Sequence, residues 1–484
     1  MLSNVILNTY LFVLIFVALF SFETVYLAYK YWQNRKKRKN IDNYDRSFQP
    51  QVTVQLPIYN EFYVAKRLIN AVCNLDYPKD KLEIQVLDDS TDKTTLTCKE
   101  RVKYFQAQGF DIKYVHRTER LGYKAGALKE GLTYARGELI AIFDADFVPP
   151  VNFLRTTVPL FADDKVGMVQ TRWEHLNEEY SLLTKAQAFG LAAHFVVEQA
   201  GRNSAGFFIN FNGTAGVWRK ECIEDAGNWE SDTLTEDLDL SYRAQIRGWK
   251  FLFLNDVVTP SELPAEINSL KNQQYRWTKG AVETARKILP KIWKSRLPLK
   301  LKIHSTFHLT NNLVYPFILI LAILNLPLVL VKNRLPESKI YLIIFAFFVI
   351  SFWASFIFYA LSQKTLYGDW KKRLMLFPVF MSGSMGFSIN NTRAVIAGLL
   401  NFRTPFVRTP KYRIMGKGGS FNAKFYRMKL DRTVIFEILM AVYSCIGIVI
   451  AVCYFELGIM PFMFMFFLGY SLIGYLSIKH YLTN

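Results

Sequence analysis

Runs of apolar residues and their spacing divide the chain into three parts. Val5 to Ala28 is almost unbroken apolar text, and about 20 such residues are enough to cross a bilayer. The run passes into aromatic residues and then Arg35-Lys36-Lys37-Arg38-Lys39, with no small-residue cleavage site. That pattern predicts a retained anchor whose C-terminal end faces the cytoplasm. Glu23 lies near that end, within reach of the interface or of a partner helix.

From Val52 to about Val258 the rhythm changes to short apolar runs alternating with helical spacing. Val52 to Leu56, Leu82 to Leu87, Ile112 to His116 and Leu139 to Phe143 read as strands. Val64 to Cys73, Thr94 to Gln108 and Tyr123 to Ala135 read as helices. Strands alternating with helices predict a mostly parallel sheet, with ligands held at the carboxyl ends of the strands.

After Lys294 long apolar runs return. Leu313 to Val331, Ile340 to Leu361, Val434 to Phe455 and Leu457 to Ile478 read as membrane spans, with Lys332 to Lys339 a short external loop. Leu297 to Thr310 alternates apolar and basic residues, the pattern of a helix lying on the membrane surface. Leu374 to Leu400 is apolar but carries Ser382, Ser384, Asn390, Asn391 and Arg393, which favours an interfacial helix over a span. Five spans put the N-terminus outside and every basic loop inside. A sixth through 374–400 would place the basic stretch Arg403 to Lys429 outside, against the charge rule.

Composition agrees with a soluble domain joined to a membrane part. Of 484 residues 51% are hydrophobic and only 20% charged. The net charge of +19 collects beside apolar spans, in Lys30 to Lys39, Lys364 to Arg373 and Arg403 to Lys429. That placement points to an anionic membrane face rather than to nucleic acid, for which the chain has no motif. The 5 cysteines form no C-x-x-C pair, so neither a disulfide frame nor a zinc site is expected.

Candidate chemistry collects between Ala141 and Trp277. Asp144 and Asp146, one residue apart at a strand end, can share one hard divalent cation with a diphosphate. A solvated turn is the plainer reading of such a pair. Asp88 and Asp89 end another strand and can read a base or ribose, or simply form a turn. Tyr59 and Glu61 close the first strand in the same layer. Lys124 opens a helix and can meet a phosphate there. Glu236 and Asp237 open a helix that Thr235 is expected to cap. One of these carboxylates can serve as general base, although acids also suit a helix N-terminus without any catalytic role. Gln273, Arg276 and Trp277 offer an amide, a guanidinium suited to a diphosphate and a flat apolar platform for a sugar ring. Packing by Trp277 and a salt bridge by Arg276 are the plainer readings there.

Taken as a set, these motifs resemble the membrane-embedded processive glycosyltransferases of family two, the group of cellulose synthase and the plant-type mannan synthases. The matching runs are Gln55-Leu-Pro-Ile-Tyr-Asn-Glu61, Gln85-Val-Leu-Asp-Asp-Ser-Thr-Asp92, Phe143-Asp-Ala-Asp-Phe147, Asn210-Phe-Asn-Gly-Thr-Ala-Gly216, the run from Thr233 to Gln245, and Gln273-Gln-Tyr-Arg-Trp277. The text around Asp88 and Asp237 is most similar to the cellulose-synthase-like mannan and glucan synthase branch.

The resemblance implies an α/β GT-A-type, Rossmann-like cytosolic domain inserted in an α-helical transmembrane bundle. Residues 1–32 would be the anchor, 40–294 the glycosyltransferase domain and 295–484 the membrane domain, with a cytosolic gating-type loop at 401–432. It implies that Tyr59, Glu61, Asp88, Asp89, Lys124, Asp144, Gln273 and Arg276 bind the nucleotide donor. Asp144 and Asp146 would hold Mg2+ or Mn2+. Asp237 would be the base, with Glu236 and Asp146 beside it. Phe211, Asn212, Gly213 and Trp277 would receive the acceptor. Phe406, Arg408 and Lys411 would belong to the gating loop, whose usual Phe and Lys ends are present while its middle departs.

The implied reaction is inverting, metal-dependent transfer of a hexose from a UDP-glucose or GDP-mannose type donor to a β-glucan or β-mannan chain extruded through the bilayer. The location would be a bacterial inner membrane or its equivalent, with an accessory export or regulatory subunit as a further partner. Few residues follow Ile478, so control by a cyclic dinucleotide would need such a partner. Two other readings compete. One is transfer of a single sugar to a lipid, because ceramide glucosyltransferases share the final Gln-x-x-Arg-Trp. The other is a nucleotide-binding transporter or scaffold with no turnover.

Overall fold

The computed structural model describes all residues except 1, 36–44, 46, 335–339, 403, 405, 422–425, 427 and 484, and the side chains of 333 and 334. The basic run after Arg35, most of the expected external loop and the boundary at residue 40 therefore lie outside the described residues.

The α/β part is built on one seven-stranded sheet in the order β3-β2-β1-β4-β6-β5-β7. The strands are β1 (Val52–Ile58), β2 (Leu82–Asp88), β3 (Asp111–His116), β4 (Leu139–Ile142), β5 (Val166–His175), β6 (Gly216–Arg219) and β7 (Lys250–Ser261). The first four are parallel, as the βα rhythm predicts. The rest of the sheet keeps to the expected, mostly parallel arrangement with one strand reversed. β6 runs antiparallel to both β4 and β5, while β5 and β7 are parallel to each other.

Two apolar clusters cover the two faces, and the period of two along each strand sorts residues between them. Leu139 and Ala141 of β4 join one cluster, Ile140 and Ile142 the other. On β1, Val52, Val54 and Leu56 are core, whereas Thr53 and Gln55 point to the opposite face and are also fully buried. They are tolerated because each is paired: Thr53 Oγ1 donates to Glu83 (2.6 Å) and Gln55 Nε2 to Gln85 (3.1 Å). The helix Tyr123–Tyr134 reaches this polar ladder through Gly131. A Cβ there would lie 2.7 Å from Gln55 Nε2, so only glycine lets the helix approach.

Strand order reverses at β1, which lies between β2 and β4. A crevice opens there at the carboxyl ends of the strands. Because β6 is antiparallel, the loop before it enters from the same edge. Loops 59–61, 89–91, 144–147 and 211–215 therefore converge on one side of the sheet.

Among the described residues five helices are long and apolar enough to cross a membrane: Leu2–Asn34, Leu299–Lys332, Ile340–Leu366, Thr433–Cys453 and Met460–Thr483. They support a multi-pass membrane protein. The segment expected as a surface helix, Leu297 to Thr310, is helical over Leu299–Thr310 and continues through the turn Asn311–Leu313 into the second of these helices. The stretch expected as one interfacial helix is two, Leu376–Gly386 and Ser388–Leu399. The first lies on Met460–Thr483 at a small-residue contact, where a Cβ on Gly386 would come within 2.5 Å of the Gly469 carbonyl. The second lies on the long helix Ile267–Lys294, and Asn390 Nδ2 donates to the Lys271 carbonyl at 3.0 Å.

The helix Ile267–Lys294 is bolted to the membrane part. Lys271 and Glu437, both essentially unexposed, pair at 2.6 Å, and Thr433 donates to the same carboxylate oxygen at 3.1 Å. Glu437→Leu is expected to leave the ammonium uncompensated and to cost about 3–5 kcal/mol. Lys271→Met together with Glu437→Leu is expected to recover most of that loss. Thermal unfolding in detergent, read as a double-mutant cycle, checks both values.

Candidate active site

The converging loops enclose a cleft of about 220 Å³. Tyr59, Glu61, Asp89, Lys124, Asp144, Asp146, Asn212, Gly213, Glu236, Asp237, Gln273, Arg276, Trp277, Phe406, Arg408 and Lys411 all line it. Two expected residues do not. Asp88 is fully buried under the loop that follows β2. Its carboxylate accepts from the Ser90 amide (2.9 Å) and the Tyr114 hydroxyl (2.7 Å), so it orders the turn that carries Asp89. Phe211 is core as well, edge-on to Trp218 at 5.5 Å. Its amide donates to Ser241 Oγ of the helix Glu236–Ile246 at 2.9 Å, which holds the next two residues, Asn212 and Gly213, at the cleft wall.

Asp144 and Asp146 follow β4 directly. Lys124 Nζ lies 2.5 Å from Asp144 Oδ1 and 2.8 Å from the Gly213 carbonyl. Burial alone would depress this lysine, but the charges of Asp144 and Glu236 outweigh it and raise its pKa. On the other side Lys411 Nζ lies 2.8 Å from Asp146 Oδ2, and the Glu262 amide donates to the same oxygen at 3.3 Å. Each aspartate is thus met by its own ammonium group.

Glu236 and Asp237 open their helix, but the expected cap is absent. Thr235 makes no side-chain cap, and its hydroxyl is 3.1 Å from Thr284 Oγ1 instead. Asp237 Oδ1 accepts from the Leu238 amide at 2.8 Å. Burial, and then the neighbouring Glu236 charge, push its pKa up to about 7, against the opposing pull of Lys124. Glu61 is raised to about 7 as well, by burial that the Arg408 guanidinium at 2.8 Å only partly offsets. Asp239, two positions on, faces away. It is buried and bonded to Arg243 at 2.8 Å. With Glu230 and Asp232 it forms a carboxylate group bridged by Lys287, which pairs with Glu230 and lies 2.8 Å from Asp232 and 3.1 Å from Asp239.

Gly213 sits at the crossing of these groups with φ of +81°, a conformation that favours glycine. A Cβ there would meet Asp237 Oδ2 at 3.0 Å and Lys124 Nζ at 3.4 Å. Gly213→Ala is expected to lower turnover more than it lowers the melting temperature, because strain and crowding fall on the cleft rather than on the core. Parallel rate and melting measurements check this.

Arg276 and Trp277 project from Ile267–Lys294. The loop 406–411 closes over them. Phe406 lies against Tyr123 (5.5 Å) and under the Arg276 guanidinium (4.5 Å), and Arg276 donates to Thr409 Oγ1 at 3.4 Å. The motif reading missed several lining residues: Arg120, whose guanidinium covers the Tyr59 ring at 3.4 Å, together with Trp173, His175 and Glu262. Half-buried His175 has its pKa pushed down to about 3 by loss of solvation, then by Lys411. Glu262 accepts from the Tyr412 amide at 2.7 Å and so helps hold the loop. Both follow or end strands at the ligand edge, and strand ends were the one signal that could have pointed to them.

Residues 50–280 match the model of the family described as Glycosyltransferase like family 2. The chain is 47% identical over 244 residues to a probable glucomannan 4-beta-mannosyltransferase of Oryza sativa subsp. japonica, covering 49% of this chain and 44% of the rice protein. It is 45% identical over 252 residues to glucomannan 4-beta-mannosyltransferase 2 of Arabidopsis thaliana, covering 51% and 47%. The matched region is thus somewhat under half the length of these relatives. Both agree with the branch to which the text around Asp88 and Asp237 points. In structure the chain is similar to a mannosyltransferase of Pyrobaculum calidifontis in complex with GDP-Man and Mn2+. The TM-score is 0.56 at 20% identity, over 81% of this chain and all of that one, which establishes a shared GT-A-like fold.

Proposed function

We propose, on the glycosyltransferase family 2 domain at residues 50–280, that this chain transfers a hexose from a nucleotide-diphospho-sugar to a growing β-linked polysaccharide. The observation that carries this reading is one cleft lined by Asp144, Asp146, Asp237, Arg276 and Trp277, which come from three separate segments of the chain. The glucomannan relatives favour a mannosyl donor of the GDP-mannose type.

Asp237 accepts the proton of an acceptor hydroxyl as that oxygen attacks the anomeric carbon from the face opposite the diphosphate, which inverts the configuration. Arg276 and Lys124 hold the departing diphosphate, and Trp277 carries the sugar ring. Asp144 and Asp146 form an all-oxygen donor pair of the kind hard cations take, and each already faces a positive group. They would hold a Mg2+ or Mn2+ ion, which supplies charge neutralisation at the diphosphate. Phe406–Lys411 gates the cleft. Its Lys411 would have to leave Asp146 for a cation to take that oxygen, and its Arg408 is anchored by Glu61.

The proposed topology puts the α/β domain on the cytoplasmic side with the basic loops, and the first helix starts outside. Residues 1–32, 40–294 and 295–484 serve as anchor, transferase and membrane domain, and the polymer leaves through the last of these. The test is a donor panel on purified full-length protein. GDP-mannose and UDP-glucose are each offered with a β-linked oligosaccharide, and product linkage and length are measured. Long β-1,4-linked mannan is the expected product. A single sugar added to lipid, or no released nucleoside diphosphate with any donor, would reject this reading.

A further inference from the structure

The rod that begins at Leu182 changes pitch. It is α-helical to Ala193, widens to a π-helix over His194–Gln199 and returns to α over Ala200–Ser204. Such wide turns re-aim side chains and are frequent at functional sites. This one directs two polar side chains, His194 and Gln199, at the loop before β6. His194 Nδ1 lies 2.9 Å from Glu198 Oε2, and His194 Nε2 lies 3.1 Å from Asn212 Nδ2. Gln199 Nε2 donates to Asn212 Oδ1 at 2.8 Å.

The network has one consistent set of donors. His194 Nδ1–H donates to the Glu198 carboxylate, which leaves the Nε2 lone pair free to accept from the Asn212 amide. Gln199 fills one lone pair of the Asn212 oxygen. The orientation of that amide is therefore set from both ends, with one N–H and one lone pair left for the cleft that Asn212 lines. The line continues behind Glu198: Arg202 lies 3.4 Å from Glu198 and 3.6 Å from Glu23 of the first membrane helix, and Glu23 is 2.9 Å from His304.

We propose that His194, fixed by Glu198, is a positioning residue that orients the Asn212 amide to receive hydroxyls of the acceptor sugar. This rests on the reading of the cleft as a site of sugar transfer. His194 itself does not line the cleft, so it acts through Asn212 and leaves the donor side untouched.

The experiment compares wild type, His194→Ala and His194→Gln as full-length protein in detergent. It measures KM and kcat against a β-linked manno-oligosaccharide, and the Kd of GDP-mannose separately. Loss of one orienting hydrogen bond is expected to raise the acceptor KM of His194→Ala about tenfold, with the donor Kd unchanged. A glutamine amide oxygen can stand in for Nε2, so His194→Gln is expected to recover most of the loss. An acceptor KM unchanged in His194→Ala overturns the proposal. So does a matching loss of donor affinity in both variants, which would mark His194 as a packing residue. A wild-type protein that binds no nucleotide sugar would instead sink the functional reading, and this proposal with it.

Discussion

Asp237→Asn is expected to slow sugar transfer by about 10²–10⁴-fold, the range that a positioned general base contributes. The amide keeps the shape and the bond from the Leu238 amide but cannot take a proton. Donor affinity is expected to hold, because Lys124, Asp144 and Arg276 are untouched. The pH profile makes the test specific. With the Asp237 pKa at about 7, the base form is scarce below that pH and dominant above it. Transfer by the wild type is therefore expected to rise as pH increases through about 7, by roughly tenfold between pH 6 and 8. The variant is expected to lose that step. Wild-type turnover in Asp237→Asn would remove the base assignment altogether. Glu236, the neighbour whose charge raises the Asp237 pKa, gives a second handle: Glu236→Gln is expected to shift the step to lower pH.

Asp146→Asn is expected to be nearly as costly, about 10²–10³-fold in rate, by weakening the support of charge on the leaving diphosphate. Here the effect should appear in cation dependence. The wild type is expected to lose activity with a chelator and regain it with Mn2+ or Mg2+, whereas the variant should need far more cation or none should suffice. The same substitution removes the partner of Lys411, so hydrogen exchange in the segment 406–411 is expected to quicken. Faster exchange with an unaltered cation response would separate the loop anchor from the proposed metal site and reject the latter.

Much of this arrangement was legible before any coordinates. The short apolar run Leu139 to Phe143 and the long apolar runs are local signals, because a strand covered on both faces or one whole helix must leave water. They foretold β1 to β4 and the five long apolar helices. Short motifs also carried the cleft: Asp144, Asp146 and Asp237 each sit at an element end, where a side chain is free to face a ligand, and Arg276 projects from within the helix Ile267–Lys294.

Other features depended on which segments meet, and neighbours in sequence do not report that. Phe211 and Asn212 are adjacent in one motif, yet the strand-like alternation into β6 turns Phe211 onto Trp218 and only Asn212 to the cleft. Asp88 and Asp89 part in the same way, one spent on its own turn and one at the wall. The antiparallel entry of β6, the missing Thr235 cap and the ion pairs Asp146–Lys411 and Lys271–Glu437 join residues far apart in the chain. The motifs thus determined which chemistry the chain carries. Tertiary packing alone decided which of those groups face one another, because pairing and burial are properties of surfaces that form only once the chain has closed on itself.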